Sequence, residues 1–367
     1  MNTYIELNKK NIVHNYLAFK INIPAKTKII CVVKANAYGY GLMEITTILD
    51  KVADMYAVDN VDELEIVRDI SSKPVLIFQQ LSSDEIKRAL KIGCEFSVGS
   101  KEYLILLDKI AKDAKSQPKV HIEIDAKFGR TGFSSKKLGG VSINKYSNVI
   151  IDSVYSHYSC STDSSLSKFN IIQEKILRKA ISTFKKKGVN LKCHISSTSS
   201  ALIHGIQKDD YVRIGAGLYG IYPSEYVEKH SKVKNLLPIM RWITRISHIK
   251  ELPKNHPVGY GQTYKTKKIT KIAVLPVGYG FGYNRHLSNR GSVLIHKTLC
   301  PILGLISMTT ITVDVSKIKN VKIGDEVVLV GNQGNKIISV TQVANMIGGI
   351  HAEISTSISP LIKRVIV

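Results

Sequence analysis

The chain has 367 residues, with 52 lysines and arginines against 29 aspartates and glutamates, a formal charge of +23, and 44% hydrophobic residues. That length exceeds one average domain and suits two, or one large barrel with an appendage; no apolar run reaches the roughly eighteen residues of a membrane span, and the start lacks an export segment, so a cytoplasmic protein is expected. Five scattered cysteines without a CxxC pair exclude a disulfide framework and a zinc knuckle, and the spread of the positive charge, with no aromatic-interleaved basic motif, argues against nucleic-acid recognition.

Between residues 28 and 215, short apolar or β-branched runs recur at 28–33, 54–59, 74–79, 94–98, 119–125, 150–157, 191–196 and 211–215. Segments with helical spacing and charged faces lie between them, among them 61–70, 83–92, 101–112 and 170–187. Eight strands alternating with helices predict an α/β fold, a (β/α)8 TIM-like barrel over residues 8–235, with a doubly wound sheet as the competitor. After about residue 235 the runs 239–249, 271–277, 291–295, 300–306, 310–315 and 325–330 are punctuated by Gly, Pro and Asn, and helical spacing returns only near 338–346. A mainly β domain over 236–367 is expected, to which residues 1–7 can add a strand.

Residues 28–41, KIICVVKANAYGYG, bring a strand to its end at Lys34 and continue in small residues, glycines and tyrosines. The C-terminal ends of barrel strands face the active site, where a lysine amine can form a Schiff base with an aldehyde; the same position also suits a lysine reaching to water. The stretch VVKANAYGYG resembles the cofactor-lysine segment of the alanine racemase family, and similar segments follow in order to the C-terminus, so the resemblance covers nearly the whole chain. It implies pyridoxal 5'-phosphate as the cofactor and no metal, with Lys34 holding the cofactor and Tyr38 touching its phosphate.

The segment Ile124 to Gly132 resembles the family's D-x-G-M-x-R-x-G stretch, which gives Arg130 the substrate carboxylate, a planar anion that suits a guanidinium. Glu123 stands seven residues before this arginine, where many members carry a carbamylated lysine, and a carboxylate supplies the same acceptor without carbon dioxide. His157 matches a family histidine that bonds to the cofactor-side arginine. Ser199, within the hydroxyl run 196–200, falls at the family's phosphate-bonded serine. In Arg213 to Gly220, the resemblance places Arg213 against the pyridine nitrogen and gives Gly215 and Ala216 backbone N–H bonds to phosphate. A permanently charged donor at that nitrogen discourages its protonation, which favours return of the proton to Cα over transamination.

In the second domain, Val258 to Tyr264 resembles the segment holding the family's second base, here Tyr260, and Tyr279 matches a further site tyrosine. A phenol gives up its proton only near pH about 10 in water, so a tyrosine base needs positive neighbours. In the family this tyrosine comes from the partner subunit, which implies a homodimer with composite active sites. Lys34 and Tyr260 would then exchange the Cα proton on opposite faces of the external aldimine, interconverting L- and D-alanine, and supply of D-alanine to peptidoglycan is the implied role.

The family's G-R-x-x-M-D segment appears as Gly304 to Thr309, with Met308 retained for substrate binding but Leu305 and Thr309 in place of arginine and aspartate. Ala352 replaces the tyrosine before a glutamate, and Phe281 the aspartate of G-Y-A-D-G. These departures open space and predict, as an alternative, a racemase of larger or more varied amino acids, such as serine or a basic one. A decarboxylase of the same plan, which would release carbon dioxide, and a non-catalytic cofactor-binding protein are the other readings.

Overall fold

The computed structural model describes residues 3–134, 145–163, 167–205 and 209–367. They form two compact units, Ile12–Ala37 with Ile45–Leu237, and Met1–Asn11 with Tyr38–Glu44 and Pro238–Val367.

In the first unit all eight expected runs are strands: Lys28–Val32, Met55–Val58, Val75–Ile77, Glu95–Val98, Lys119–Asp125, Ile150–Tyr155, Lys192–His194 and Tyr211–Ile214. Each pairs in parallel with the next up to Lys192–His194, while Tyr211–Ile214 returns to pair with Lys28–Val32. Hydrogen bonds from Asp210 N–H to the Cys193 carbonyl (2.9 Å) and from Arg213 N–H to that of Ser196 (3.1 Å) bring the first and last edges together, so the barrel is nearly closed. Closure, rather than a doubly wound sheet, follows from the right-handed twist of eight short parallel strands.

The helices between strands begin where side chains replace the missing backbone partners of a first turn. Asn60 accepts the Glu63 N–H, Ser100 accepts the Tyr103 N–H, and Ser82 with Glu85 forms a capping box. Inside the barrel Ile30, Met55, Ala57, Leu76 and Tyr211 pack as one cluster with Phe78 against it. Each fully buried aliphatic side chain there contributes roughly 1.5–3 kcal/mol. Another part of the interior is polar: Glu95, His121, Ser153 and His194 are all buried.

The second unit is mainly β. Its larger sheet runs Thr298–Pro301, Ser292–Ile295, Glu326–Gln333, Met240–Arg245, Tyr4–Leu7 and Lys363–Ile366, and a smaller one joins His248–Leu252, Thr270–Leu275 and Ile311–Asp314. Tyr4–Leu7 lies antiparallel to Met240–Arg245 and parallel to Lys363–Ile366. Arg241 ties this sheet laterally, with 2.6 Å contacts to Glu6 and to Glu326. The run expected as one strand at 239–249 divides between the two sheets. The helical spacing near 338–346 corresponds to Val340–Ile347, followed by a short helix His351–Thr356.

The segment Tyr38–Glu44 groups with the β unit although it follows the first barrel strand in sequence. Gly39 explains this: a Cβ built there would lie 1.9 Å from the Ser355 carbonyl oxygen, and the Gly39 carbonyl accepts a 2.8 Å bond from Arg364. Among the described residues no helix is long and apolar enough to cross a membrane, and all five cysteines are free.

Candidate active site

Lys34 follows the end of the first barrel strand, at the rim where catalytic groups collect in such barrels. Its amine is partly exposed and paired to Asp59, at the end of the neighbouring strand, at 3.2 Å, with the Phe78 ring centroid 5.8 Å away. The chain leaves Lys34 in a conformation that no sequence pattern announced. Ala35, Asn36, Ala37 and Tyr38 all have φ between 53° and 55°, a left-handed turn built without glycine. Such residues cost roughly 1–2 kcal/mol each, so neighbouring groups must hold them. Ala37 N–H donates to the Val33 carbonyl (2.8 Å), and Glu63 accepts the N–H groups of Asn36 and Asp59, both at 3.0 Å. Glu63 therefore clamps the two loops that carry Lys34 and Asp59. Replacing it with alanine is expected to lower stability by about 2–3 kcal/mol, the worth of bonds to a charged acceptor, measured by denaturant unfolding; a loss below 0.5 kcal/mol, within the usual range for a neutral surface change, would refute the clamp.

Arg213, on the last strand, is buried. Its Nη2 donates to the carbonyls of Ser156 (2.8 Å) and Ile195 (3.1 Å) and to His157 Nδ1 (3.0 Å), while Nη1 meets His194 Nδ1. A guanidinium only donates, so His157 Nδ1 is the acceptor and its proton sits on Nε2. Burial, reinforced by the charges of Arg213, Arg130 and Lys34, pushes the His157 pKa down from 6.5 to about 3, and His194 is held neutral by burial and Arg213.

The consequence for stability has a definite sign. As pH falls below about 6.5 the unfolded chain takes up a proton at His157 that the folded chain refuses until about 3, so stability declines across that window. The unfolding temperature should drop more between pH 7 and pH 5 in the wild type than in His157→Gln. Equal drops would refute the assignment.

The hydroxyl run 196–200 is resolved by its packing. Thr198 is buried, and its Oγ1 accepts the N–H groups of Gly215 (3.1 Å) and Gly217 (3.4 Å), which leaves its own hydrogen for an acceptor. Ser199, one residue on, is only partly buried in the first turn of the helix Thr198–His204. Gly217 is required by close packing, because a Cβ there would meet the Phe19 ring at 2.5 Å. Ala216 opens the short turn Ala216–Tyr219 beside Gly215. Thr198 was not singled out in the sequence, where five neighbouring hydroxyls offer nearly the same chemistry.

Glu123 and Arg130 are not joined as expected. Glu123 is buried, with its carboxylate beside Gly99, whereas Arg130 is exposed and lies over the Phe128 ring at 4.6 Å. Phe128, where the family has methionine, gives the guanidinium an aromatic face, and among the described residues no ion pair links Arg130 to Glu123. The Arg130 loop itself is fixed by Asp125, which accepts the N–H groups of Phe128 (2.9 Å) and Gly129 (3.1 Å).

In the β unit, Tyr260 begins a short turn Tyr260–Gln262 and is 69% exposed, with Tyr279 at 43% and Met308 at 58%. The last two are held on adjoining loops by bonds from Tyr279 N–H to the Ser307 carbonyl (3.1 Å) and from Gly280 N–H to that of Met308 (2.8 Å). A Cβ on Gly259, just before Tyr260, would lie 3.5 Å from the Leu305 carbonyl oxygen, so the Tyr260 loop abuts the same segment. Thr309 is exposed, and Leu305, Phe281 and Ala352 are partly buried.

Residues 7–223 match the model of the alanine racemase N-terminal domain and residues 239–366 that of its C-terminal domain. The chain is 34% identical over 346 residues to the alanine racemase of Methanococcus maripaludis, covering 93% of this chain and 92% of that one. It is 32% identical over 371 residues to alanine racemase 2 of Caldanaerobacter subterraneus subsp. tengcongensis, covering 99% and 94%. Among solved structures, alanine racemase of Clostridium difficile 630 superimposes with a TM-score of 0.93 at 27% identity, covering all of this chain and 96% of that one. The alanine racemase of Bacillus anthracis with bound L-Ala-P gives 0.93 at 29%, covering 100% and 95%. These relatives do not favour the reading of a larger substrate drawn from Leu305, Thr309 and Ala352. With both domain models matched in order and the barrel and β unit reproduced throughout, the chain belongs to the alanine racemase family.

Proposed function

We propose that this chain interconverts L- and D-alanine with pyridoxal 5'-phosphate held at the barrel mouth. The observation that carries the reading is the placement of Lys34, Thr198 and Arg213 on one barrel unit, each with the chemistry that one part of the cofactor requires.

The residues present fit the group. Lys34 offers an amine for the aldehyde. Thr198 retains a hydroxyl hydrogen for the phosphate, in a turn of small residues with Ala216 beside it, while the Gly215 N–H is already given to Thr198. Thr198 is therefore a better phosphate donor than Ser199, and Tyr38 is a further candidate. Arg213, with both terminal nitrogens held by protein acceptors, has Nε–H for the ring nitrogen. Burial pulls its pKa below the ordinary arginine value, yet a guanidinium keeps its charge, so the ring nitrogen gains a hydrogen bond without a proton.

Bound there, pyridoxal phosphate withdraws electrons from the Cα of an attached amino acid and makes its hydrogen acidic. Lys34 Nζ takes or returns that proton on one face, and Tyr260 of the partner subunit does so on the other. His157, neutral and fixed by Arg213, bridges toward the tyrosine side. Arg130 binds the substrate carboxylate, and Tyr279 and Met308 are further substrate-binding candidates. The exposed group of Tyr260, Tyr279 and Met308 supports a homodimer, since aromatic surface of this kind is buried at interfaces.

The test is incubation of the purified protein and pyridoxal phosphate with single L-amino acids, followed by chiral chromatography. D-alanine as the dominant product supports the reading. Faster conversion of a larger amino acid would replace it, and no D-product from any substrate would end it.

A further inference from the structure

The barrel interior holds a file of polar groups beyond Arg213 that the proton exchange at Cα does not use. Arg213 Nη1 lies 2.5 Å from His194 Nδ1, His194 Nε2 lies 2.9 Å from His121 Nδ1, and His121 Nε2 lies 2.7 Å from Glu95 Oε2. Glu95 opens its strand, His121 is third in Lys119–Asp125, His194 ends Lys192–His194, and Arg213 is third in Tyr211–Ile214. The file thus runs from near the rim that bears Lys34 toward the opposite end of the barrel. None of the four residues is more than 9% exposed.

Both ends dictate the same proton order. The guanidinium can only donate, so His194 Nδ1 accepts and His194 Nε2 carries the hydrogen. That hydrogen goes to His121 Nδ1, which leaves the His121 hydrogen on Nε2, facing a carboxylate that only accepts. An additional proton has no place in the file, and neither ring can adopt its other tautomer without losing a bond at each side. The side walls reinforce this arrangement: the Tyr155 ring stacks on His194 at 4.7 Å with planes 4° apart, and Tyr211 lies against both imidazoles.

We propose that Glu95 and His121 are positioning residues for Arg213, anchoring its guanidinium from the far end of the barrel through one-way hydrogen bonds from Arg213 to His194 to His121 to Glu95. The groups that hold Arg213 directly are imidazoles and carbonyls, so the anion reached along its hydrogen bonds is Glu95, two rings away. A carboxylate behind a histidine makes that ring a stronger acceptor, and each bond in such a chain strengthens the next. Glu95, His121 and Asp152 also stand close enough to surround a cation, their ligand atoms within 4.8 Å of one another. Lys119 at 3.8 Å from Glu95 and Lys192 at 2.8 Å from Asp152 already supply the positive charge, and His121 Nε2 is spent on Glu95, so the cluster is a proton-ordered file and not a metal site.

The kinetic consequence rests on Arg213 facing the cofactor ring; the proton positions do not. Nitrogen-15 NMR of histidine-labelled protein carrying pyridoxal phosphate should show both His121 and His194 neutral with the hydrogen on Nε2. A hydrogen on Nδ1 of either ring, or a doubly protonated ring, overturns the file whether or not the protein racemises anything. Glu95→Gln, whose carbonyl oxygen still accepts, should keep both proton positions and most of the activity. Glu95→Leu should change the His194 signal and lower kcat/KM about ten-fold with KM little altered, as loss of an outer partner does. An unchanged His194 signal in the leucine variant, or equal losses in the glutamine and leucine variants, overturns the positioning role. His121→Phe breaks the file one step nearer Arg213 and gives the same readouts if Glu95→Leu does not fold.

Discussion

Lys34→Ala is expected to remove racemisation, lowering kcat by about 10^4-fold or more, because one side chain performs two tasks. It attaches the cofactor and it serves as the base on one face of Cα, so excess pyridoxal phosphate cannot restore turnover. Borohydride reduction followed by mass spectrometry separates the two tasks. In the wild type the cofactor should be fixed to the peptide containing Lys34, and in the variant the protein should remain unlabelled. Cofactor fixed to a different lysine in the wild type, or a variant retaining a tenth of the activity, would remove Lys34 from the mechanism. Fold damage is a poor rival explanation, since Lys34 contributes one partly exposed ion pair and the left-handed turn after it is held by Glu63 and Val33.

Tyr260→Phe should reduce interconversion by about 10^2- to 10^4-fold, the usual worth of a general acid or base, while leaving one half of the chemistry intact. With Lys34 still present, one enantiomer of alanine should exchange its Cα hydrogen with deuterated water without inverting. Loss of exchange for both enantiomers would mean that the tyrosine is not a base dedicated to one face. The same variant tests the composite site. If Tyr260 acts on the partner, mixing Lys34→Ala and Tyr260→Phe chains through an unfolding and refolding cycle yields dimers with one site intact, and about a quarter of wild-type activity should return for random pairing. If Tyr260 serves its own chain, nothing returns.

The barrel was legible in the sequence because each of its strands is a short apolar run bounded by turns, and the pattern repeats eight times. Its closure is carried by pairs such as Lys28–Val32 with Tyr211–Ile214, for which the count of strands stood in. Candidate site residues were readable where they fall on a contiguous stretch, as at Lys34 or Arg213. They were less readable where side-chain direction decides. Five consecutive hydroxyls from Ser196 to Ser200 have nearly the same chemistry, and only the backbone of Gly215 distinguishes Thr198 from Ser199. Glu123 and Arg130 are suitably spaced for a pair, yet the Arg130 guanidinium lies over the Phe128 ring at 4.6 Å. The left-handed turn from Ala35 to Tyr38 had no glycine or proline to announce it, because tertiary bonds impose it. Glu95 and His121 come to Arg213 from separate strands, a proximity no local pattern encodes.

The placement of Tyr4–Leu7 between Met240–Arg245 and Lys363–Ile366 has a consequence for how the protein is made. On the ribosome, every barrel strand from Lys28–Val32 to Tyr211–Ile214 is synthesised before either neighbour of Tyr4–Leu7 exists. The barrel can therefore close while Tyr4–Leu7 waits with both edges open, and the larger sheet is completed only when Lys363–Ile366 emerges. During that interval an exposed strand edge is available to other chains, so the vulnerable stage of biosynthesis belongs to the β unit and the time for which it lasts is set by the rate of translation.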